Sequence, residues 1–263
     1  MIVKANFIYR TALAASFGCS LLLGLGATAT NARAAELKVM STVALTPTLD
    51  ELAPKFEASG NHLTIVYSTI ANLKKKIDAG ETADVFILSH PVLDDLQSQG
   101  KVAKGSVADL GTSYVAVGVR AGAPLPDIST PEKLKAALLA TKSISYADPA
   151  KGGASGIHMA KVIDRLGLAE QMKPKTVLVP GAESGELVAK GEAEMAVAQA
   201  SEIAAVPGTQ VVGPLPGDFN SKITFSAGVG ATAKDPAAAK TLIELLTGPT
   251  GKAVLKSKGM DPA

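Results

Sequence analysis

The 263-residue chain contains no tryptophan, a single cysteine and three histidines, and aromatic residues make up only 4% of it. Each scarcity removes a class of function. One cysteine, Cys19, excludes an internal disulfide framework and any zinc centre built on thiolates. His62, His90 and His158 are far apart and lack the His-x-x-x-His spacing, so no metal site is expected. Charge is balanced, 26 Lys+Arg against 24 Asp+Glu, with no basic stripe interleaved with stacking rings, so nucleic acid is not an expected partner. Gly-x-Ser-x-Gly is missing, so the many serines do not suggest a hydrolase, and Lys151-Gly152-Gly153 lacks the spacing of a P-loop or a dinucleotide fingerprint; no cofactor is expected. An apolar fraction of 47% is too high for a disordered chain.

What is present begins with a secretory signal, expected over Met1–Ala34. Lys4 and Arg10 form a positive start, Thr11–Ala29 is mostly apolar and small, and Ala32-Arg33-Ala34 fits a small-x-small cleavage site. Ser16-Phe17-Gly18 is a poor lipobox for Cys19, so lipid anchoring is not expected. Beyond Ala35 nothing approaches 18 apolar residues in a row, which argues against a membrane-embedded chain. The segment carries Lys4, Arg10 and Arg33 and no acid. Cleavage therefore leaves 23 basic against 24 acidic groups, no cysteine, and an exported protein of 229 residues.

That remainder alternates β-rich runs with helix-period stretches. Strands are expected at Leu37–Met40, Leu63–Tyr67, Asp84–Leu88, Tyr114–Val119, Ser143–Tyr146, Thr176–Val179, Met195–Ala198, Gln210–Val212 and Thr224–Val229. Pro47–Phe56 places Leu49, Leu52, Ala53 and Phe56 on one helical face, with Thr46 as its expected N-cap. Leu73–Ala79, Val92–Gln99 and His158–Leu166 each stop at a glycine, and Pro236–Leu246 and Gly251–Lys258 close the chain. The expected class is α/β, with mostly parallel sheets flanked by helices. Two Pro/Gly-rich stretches, 120–126 and 213–218, interrupt the rhythm. They suggest a middle lobe, 120–223, inserted into a discontinuous lobe made of 35–119 plus 224–263. Two such lobes form a hinged cleft.

In open α/β sheets, ligands sit where strands end and helix N-termini offer free N–H groups. Four loops suit this chemistry: Ser41–Thr46, Tyr67–Asn72, Asp148–Gly156 and Gly181–Gly185. Hydroxyls and glycine-exposed amides there bind a small anion without arginine. Capping and tight turns also use these residues, so the weight lies in their recurrence on both expected lobes. Lys74-Lys75-Lys76 reads as a solvated helix face. His90, before Pro91 at a strand end, is placed to face a cleft. His158, within a turn of the glycine-rich loop, is a candidate general base or an ordinary helix-start histidine.

The stretch Val39–Thr46 leading into Leu49–Leu52 resembles the first strand and helix of periplasmic molybdate-binding proteins. Leu73–Gly80 followed by Ala83–Ser89, Asp148-Pro149 with Ser155-Gly156-Ile157, and Leu246-Thr247-Gly248-Pro249 with Lys258-Gly259 are similar too. The resemblance implies the two-lobed type II periplasmic solute-binding fold, a periplasmic location, and delivery of a ligand to an ABC permease by what we expect to be a monomer. The oxyanion ligands depart from that family's pattern. Ala44 stands where molybdate binders carry a serine, Ile70 where they carry a second, and Gln199 where they carry a tyrosine. Losing two hydroxyls from a dianion site costs about 1.5–3 kcal/mol each. The expected ligand is therefore a different small anion, a carboxylate before an oxyanion. Its expected contacts are Ser41, Thr42, Ser68, Thr69, Ser155, Gly156, Ser184 and Gln199. The resemblance also includes aconitate isomerases, cofactor-independent enzymes that shift an allylic proton on a tricarboxylate. On that alternative the expected catalytic base is His158 or Tyr67.

Overall fold

A computed structural model describes residues 34–263. The signal segment expected over Met1–Ala34, with Cys19, lies outside the described residues apart from Ala34. No helix among them is long and apolar enough to cross a membrane.

The chain opens as three strand–helix units: β1 (Glu36–Thr42), α1 (Thr46–Glu57), β2 (His62–Ser68), α2 (Ile70–Asp78), β3 (Val85–Ser89) and α3 (His90–Ser98). The strand β4 (Ala108–Arg120) then leads to α4 (Pro131–Ala140), β5 (Ile144–Ala147), α5 (Ala154–Arg165), the short α6 (Ala169–Met172) and β6 (Thr176–Val179). There follow α7 (Ser184–Lys190), β7 (Met195–Gln199), α8 (Ala200–Ala204), β8 (Thr209–Pro214) and β9 (Lys222–Val229). The chain finishes with α9 (Pro236–Thr247), α10 (Pro249–Ser257) and the two-residue β10 (Asp261–Pro262).

The strand order is β2-β1-β3-β9-β4-β7-β5-β6, with β8 and β10 also pairing β4. Two parallel sets, β2-β1-β3 and β6-β5-β7, are the expected β-α units. The strands that join them are antiparallel, so the sheet as a whole is mixed. β9 pairs antiparallel with β3 and β4, and β4 pairs antiparallel with β7 and β8. β4 is the shared element: Ala108–Tyr114 pair β9, whereas Val115–Arg120 pair β7 and β8. The sheet thus has two halves, each with its own core. Val39, Leu45, Leu52, Phe225 and Leu242 centre the first, and Val117, Leu134, Met159 and Val197 centre the second.

Local chemistry explains most helix ends. Gly80, Gly100 and Gly167 take φ of 99°, 72° and 68° beyond α2, α3 and α5, a left-handed turn that glycine adopts without strain. Thr46 is a correction. It lies inside α1 with helical φ −50°, ψ −52°, because Val43–Leu45 already wind a 3-10 turn ahead of it. α5 begins at Ala154, earlier than the expected His158, so the glycine-rich loop runs directly into the helix. Helix α4 was not anticipated, although Thr130 accepts from Lys133 N–H and Pro131 follows at the first position.

Asp84 holds the first half together. Its buried carboxylate accepts from the N–H of Lys38 at 2.8 Å and of Lys234 at 2.7 Å, tying β1 to the segment after β9. Asp84→Ala should leave two main-chain donors unsatisfied and cost about 2–4 kcal/mol. Urea denaturation of that variant measures this, and an unchanged midpoint would refute the assigned role.

Candidate functional site

The carboxyl ends of the parallel strands in both halves meet at one crevice. Thr42 ends β1, Thr69 follows β2, Ala147 ends β5, Gly181 follows β6 and Gln199 ends β7. All five line a cavity of about 30 Å³, together with Val43, Ala44, Ile70, Gly153, Ala154, Ser155, Glu202, Ile223 and Phe225. Each of the four candidate loops contributes to this wall. Two larger grooves flank it. One, of about 800 Å³, includes Asp50, Glu51, Glu183, Glu186, Glu202 and Lys258. The other, of about 790 Å³, includes Ile70, His90, Asp109, Ile157 and Lys222.

Glycines bring the backbone close. A Cβ on Gly156 would lie 1.7 Å from the Ala147 carbonyl oxygen, so α5 starts in direct contact with the end of β5. The N-cap of α5 is Gly153, with no capping side chain, and its first-turn N–H groups remain free for a ligand. Gly152, at φ 79°, sits against Ala71 of α2, where an added Cβ would approach to 2.5 Å. Thr69 Oγ1 donates to the Lys151 carbonyl at 3.3 Å, and Ser201 Oγ donates to the Ala44 carbonyl at 3.4 Å. These contacts join the two halves across the crevice.

Of the eight expected ligand contacts, Thr42, Thr69, Ser155 and Gln199 lie on the cavity wall. The other four do not. Ser41 is fully buried and donates to the Thr42 carbonyl at 3.1 Å. Ser68 is half-buried at the end of β2. Gly156 is covered by the Ala147 carbonyl, and Ser184 is buried with its hydroxyl unpartnered. Both expected bases are engaged elsewhere. His158 Nε2 sits 2.7 Å from the Phe219 carbonyl. Tyr67 donates to Asp50 Oδ1 at 3.2 Å; burial first, then the Asp50 charge, pushes its hydroxyl above the usual range. Neither arginine among the described residues lines the cavity: Arg120 donates to the Ala189 carbonyl, and Arg165 stacks on Phe219 at 4.5 Å.

Gln199 is the outstanding feature of the wall. It is 3% exposed, and among the described residues neither its Nε2 nor its Oε1 makes a hydrogen bond, although Oε1 faces the Glu202 N–H across the capping box. A buried amide left so costs about 1–3 kcal/mol per unpaired group. Sequence reasoning missed Glu202, the only ionisable residue on the wall. Its Oε2 accepts from the Gln199 N–H at 3.1 Å, and burial, with Glu183 adding to it, pushes its carboxyl up to about 7. The signal was there: Gln199 followed three residues later by Glu is a capping-box spacing at a helix start. His90 lines the second groove, and its bond to Asp109 Oδ1 at 2.6 Å raises its affinity for a proton.

A raised carboxyl favours the folded state while protonated, so its contribution is complete below the ordinary value of 4.5 and is lost as pH rises through about 7. Glu202→Gln should therefore melt progressively higher than the parent chain between pH 5 and pH 8. A melting difference that stays constant over that interval would contradict the assignment.

The model of the family described as bacterial extracellular solute-binding protein matches residues 37–261. An aconitate isomerase from Pseudomonas sp is 32% identical over 233 residues, covering 86% of this chain and 87% of that protein. The molybdate-binding protein ModA of Azotobacter vinelandii is 28% identical over 255 residues, covering 93% and 98%. The structure of the A. vinelandii periplasmic molybdate-binding protein superposes with a TM-score of 0.69 at 21% identity, covering 85% of this chain and 98% of that one. With a family match that runs from β1 to β10, the chain belongs to the bacterial extracellular solute-binding proteins.

Proposed function

We propose that the crevice captures a small organic carboxylate in the periplasm, for delivery to an ABC permease. The observation that carries this reading is the unpaired amide of Gln199. Its Nε2 supplies hydrogens to a carboxylate oxygen, and a second polar group of the same ligand, such as a hydroxyl or a protonated carboxyl, satisfies Oε1. The free N–H groups at the start of α5, with Thr42, Thr69 and Ser155, supply further donors for negative charge.

Ala44 and Ile70 argue against a tetrahedral oxyanion. Both line the cavity and neither has a hydroxyl to offer. A cavity of about 30 Å³ holds a water molecule, whereas small-molecule sites run to about 300 Å³ or more. Entry of a carboxylate therefore requires the halves to part. We place the lobes at 35–114 with 222–263, and at 115–221, a few residues from the boundaries expected at 119/120 and 223/224, because Val115 and Val117 pack in the second core and β9 begins at Lys222. The crossings are the switch of partners within β4 and the segment between β8 and β9. Opening breaks the Thr69–Lys151 and Ser201–Ala44 bonds, and a ligand held between the halves takes up the polar groups they release.

A second reading is favoured by the 32% identity to an aconitate isomerase: turnover of an unsaturated tricarboxylate in the same crevice. Helix N-termini and the Gln199 amide would then hold the carboxylates and take up charge as it develops.

Gln199→Leu separates a ligand contact from a packing residue, because its two effects have opposite signs. Replacing an unpaired amide by an apolar group should raise the melting temperature of the ligand-free protein. The same change should weaken binding of aconitate or citrate about ten- to a hundredfold. Calorimetric titration against these acids and against molybdate provides the readout. Tight molybdate binding with no response to carboxylates would refute the proposed ligand class.

A further inference from the structure

With His158 on the Phe219 carbonyl and Tyr67 on Asp50, the cavity has one ionisable residue on its wall, Glu202. Three observations set this side chain apart from an ordinary helix-start glutamate. It lines the inner cavity and also the groove of about 800 Å³, so it stands between the ligand space and bulk water. Its Oε2 is fixed by the Gln199 N–H, which orients the carboxyl beside the unpaired amide. The charged groups around it are mainly acidic. Glu183 and Glu186 approach from the loop before α7 and from α7 itself, and Asp50 and Glu51 from α1. Lys258, which follows α10, is the one cation of the groove lining, and Glu51 Oε2 already pairs it at 2.9 Å.

We propose that Glu202 carries the proton in a 1,3-proton shift on an unsaturated polycarboxylate bound in the crevice, an inference that rests on the isomerase reading. The carboxylate takes a proton from the methylene carbon next to the C=C bond. The electron pair of the broken C–H bond becomes part of a dienolate spread over the allylic carbons and a carboxylate. Glu202 then returns the proton to the far vinyl carbon, which moves the double bond by one position and regenerates the base. No oxidant, reductant or further reactant is consumed. The dienolate charge rests on the Gln199 amide and on the free N–H groups of α5. A carboxyl pushed up to about 7 has its acid and base forms together at neutral pH, as a group that both takes and returns a proton requires.

Glu202→Gln tests this cleanly, because an amide oxygen still accepts from the Gln199 N–H and so preserves any purely structural role. The exported chain is incubated with trans-aconitate in D2O, and proton NMR follows deuterium entry at carbon and cis/trans interconversion. The parent chain should exchange and isomerise. Glu202→Gln should do both at least a hundredfold more slowly while its Kd for trans-aconitate stays within a few-fold. The parent rate should rise with pH through about 7. If the variant keeps the parent rate, the role of Glu202 is overturned and the isomerase reading stands. If the parent chain binds aconitate with neither exchange nor isomerisation, the proposed proton transfer is overturned and carboxylate capture stands. If it does not bind at all, both fall.

Discussion

The thirteen residues of β4 belong to two pairing systems at once, and the position of every group in the crevice follows from that constraint. Up to Tyr114 the strand hydrogen-bonds to β9; from Val115 it bonds to β7 and β8. Its ladder fixes the register of both halves. The carboxyl ends of β1 and β2 on one side therefore face those of β5, β6 and β7 on the other. Strand ends are where helices begin, and helix beginnings are where unpaired N–H groups gather. A crevice rich in donors thus follows from topology before any particular side chain is considered.

Close approach converts that topology into a site. The missing side chains of Gly152, Gly153 and Gly156 let α5 settle against β5 and let its loop touch α2. The polar groups left over at this junction differ in their state. Thr69 and Ser201 are satisfied by carbonyls of the opposite half, whereas the Gln199 amide is hydrogen-bonded by no described residue. An amide buried without a partner carries a stability cost that a ligand able to pair with it would relieve. Glu202 adds a titratable group to an otherwise uncharged wall, so any anion held there meets a residue whose charge depends on pH.

The alternation of β-branched runs with 3.6-period stretches was legible because both periodicities are local, and nine strands match the expected runs to within a residue or extend them. The misses have local causes as well. The early part of β4, Ala108–Ser113, contains glycine and lacks alternation; it becomes a strand because Gly111 lets the Asp261 carbonyl approach and because β9 supplies a partner. Thr46 looked like a cap since Pro47 follows it, but the 3-10 turn upstream had already begun the helix. All four loops suspected of ligand chemistry reach the cavity, yet only some of their hydroxyls do. Which of Ser41 and Thr42, or of Ser68 and Thr69, faces the crevice depends on strand phase and on the partner that captures the other side chain.

The sequence by itself determined the α/β class, the glycine stops of its helices, the small-residue loops at strand ends, and the kinship carried by motifs spread along the chain. Those properties depend on neighbours a few residues apart. Only the tertiary structure decided which side chains are left without partners. His158 and Tyr67 are held by Phe219 and Asp50, contacts that span 61 and 17 residues of chain, while Gln199 and Glu202 come to face Thr42 and Thr69 from the opposite half. A hydrogen bond that is made or left unmade across such separations is set by packing, and packing has no signature in local periodicity.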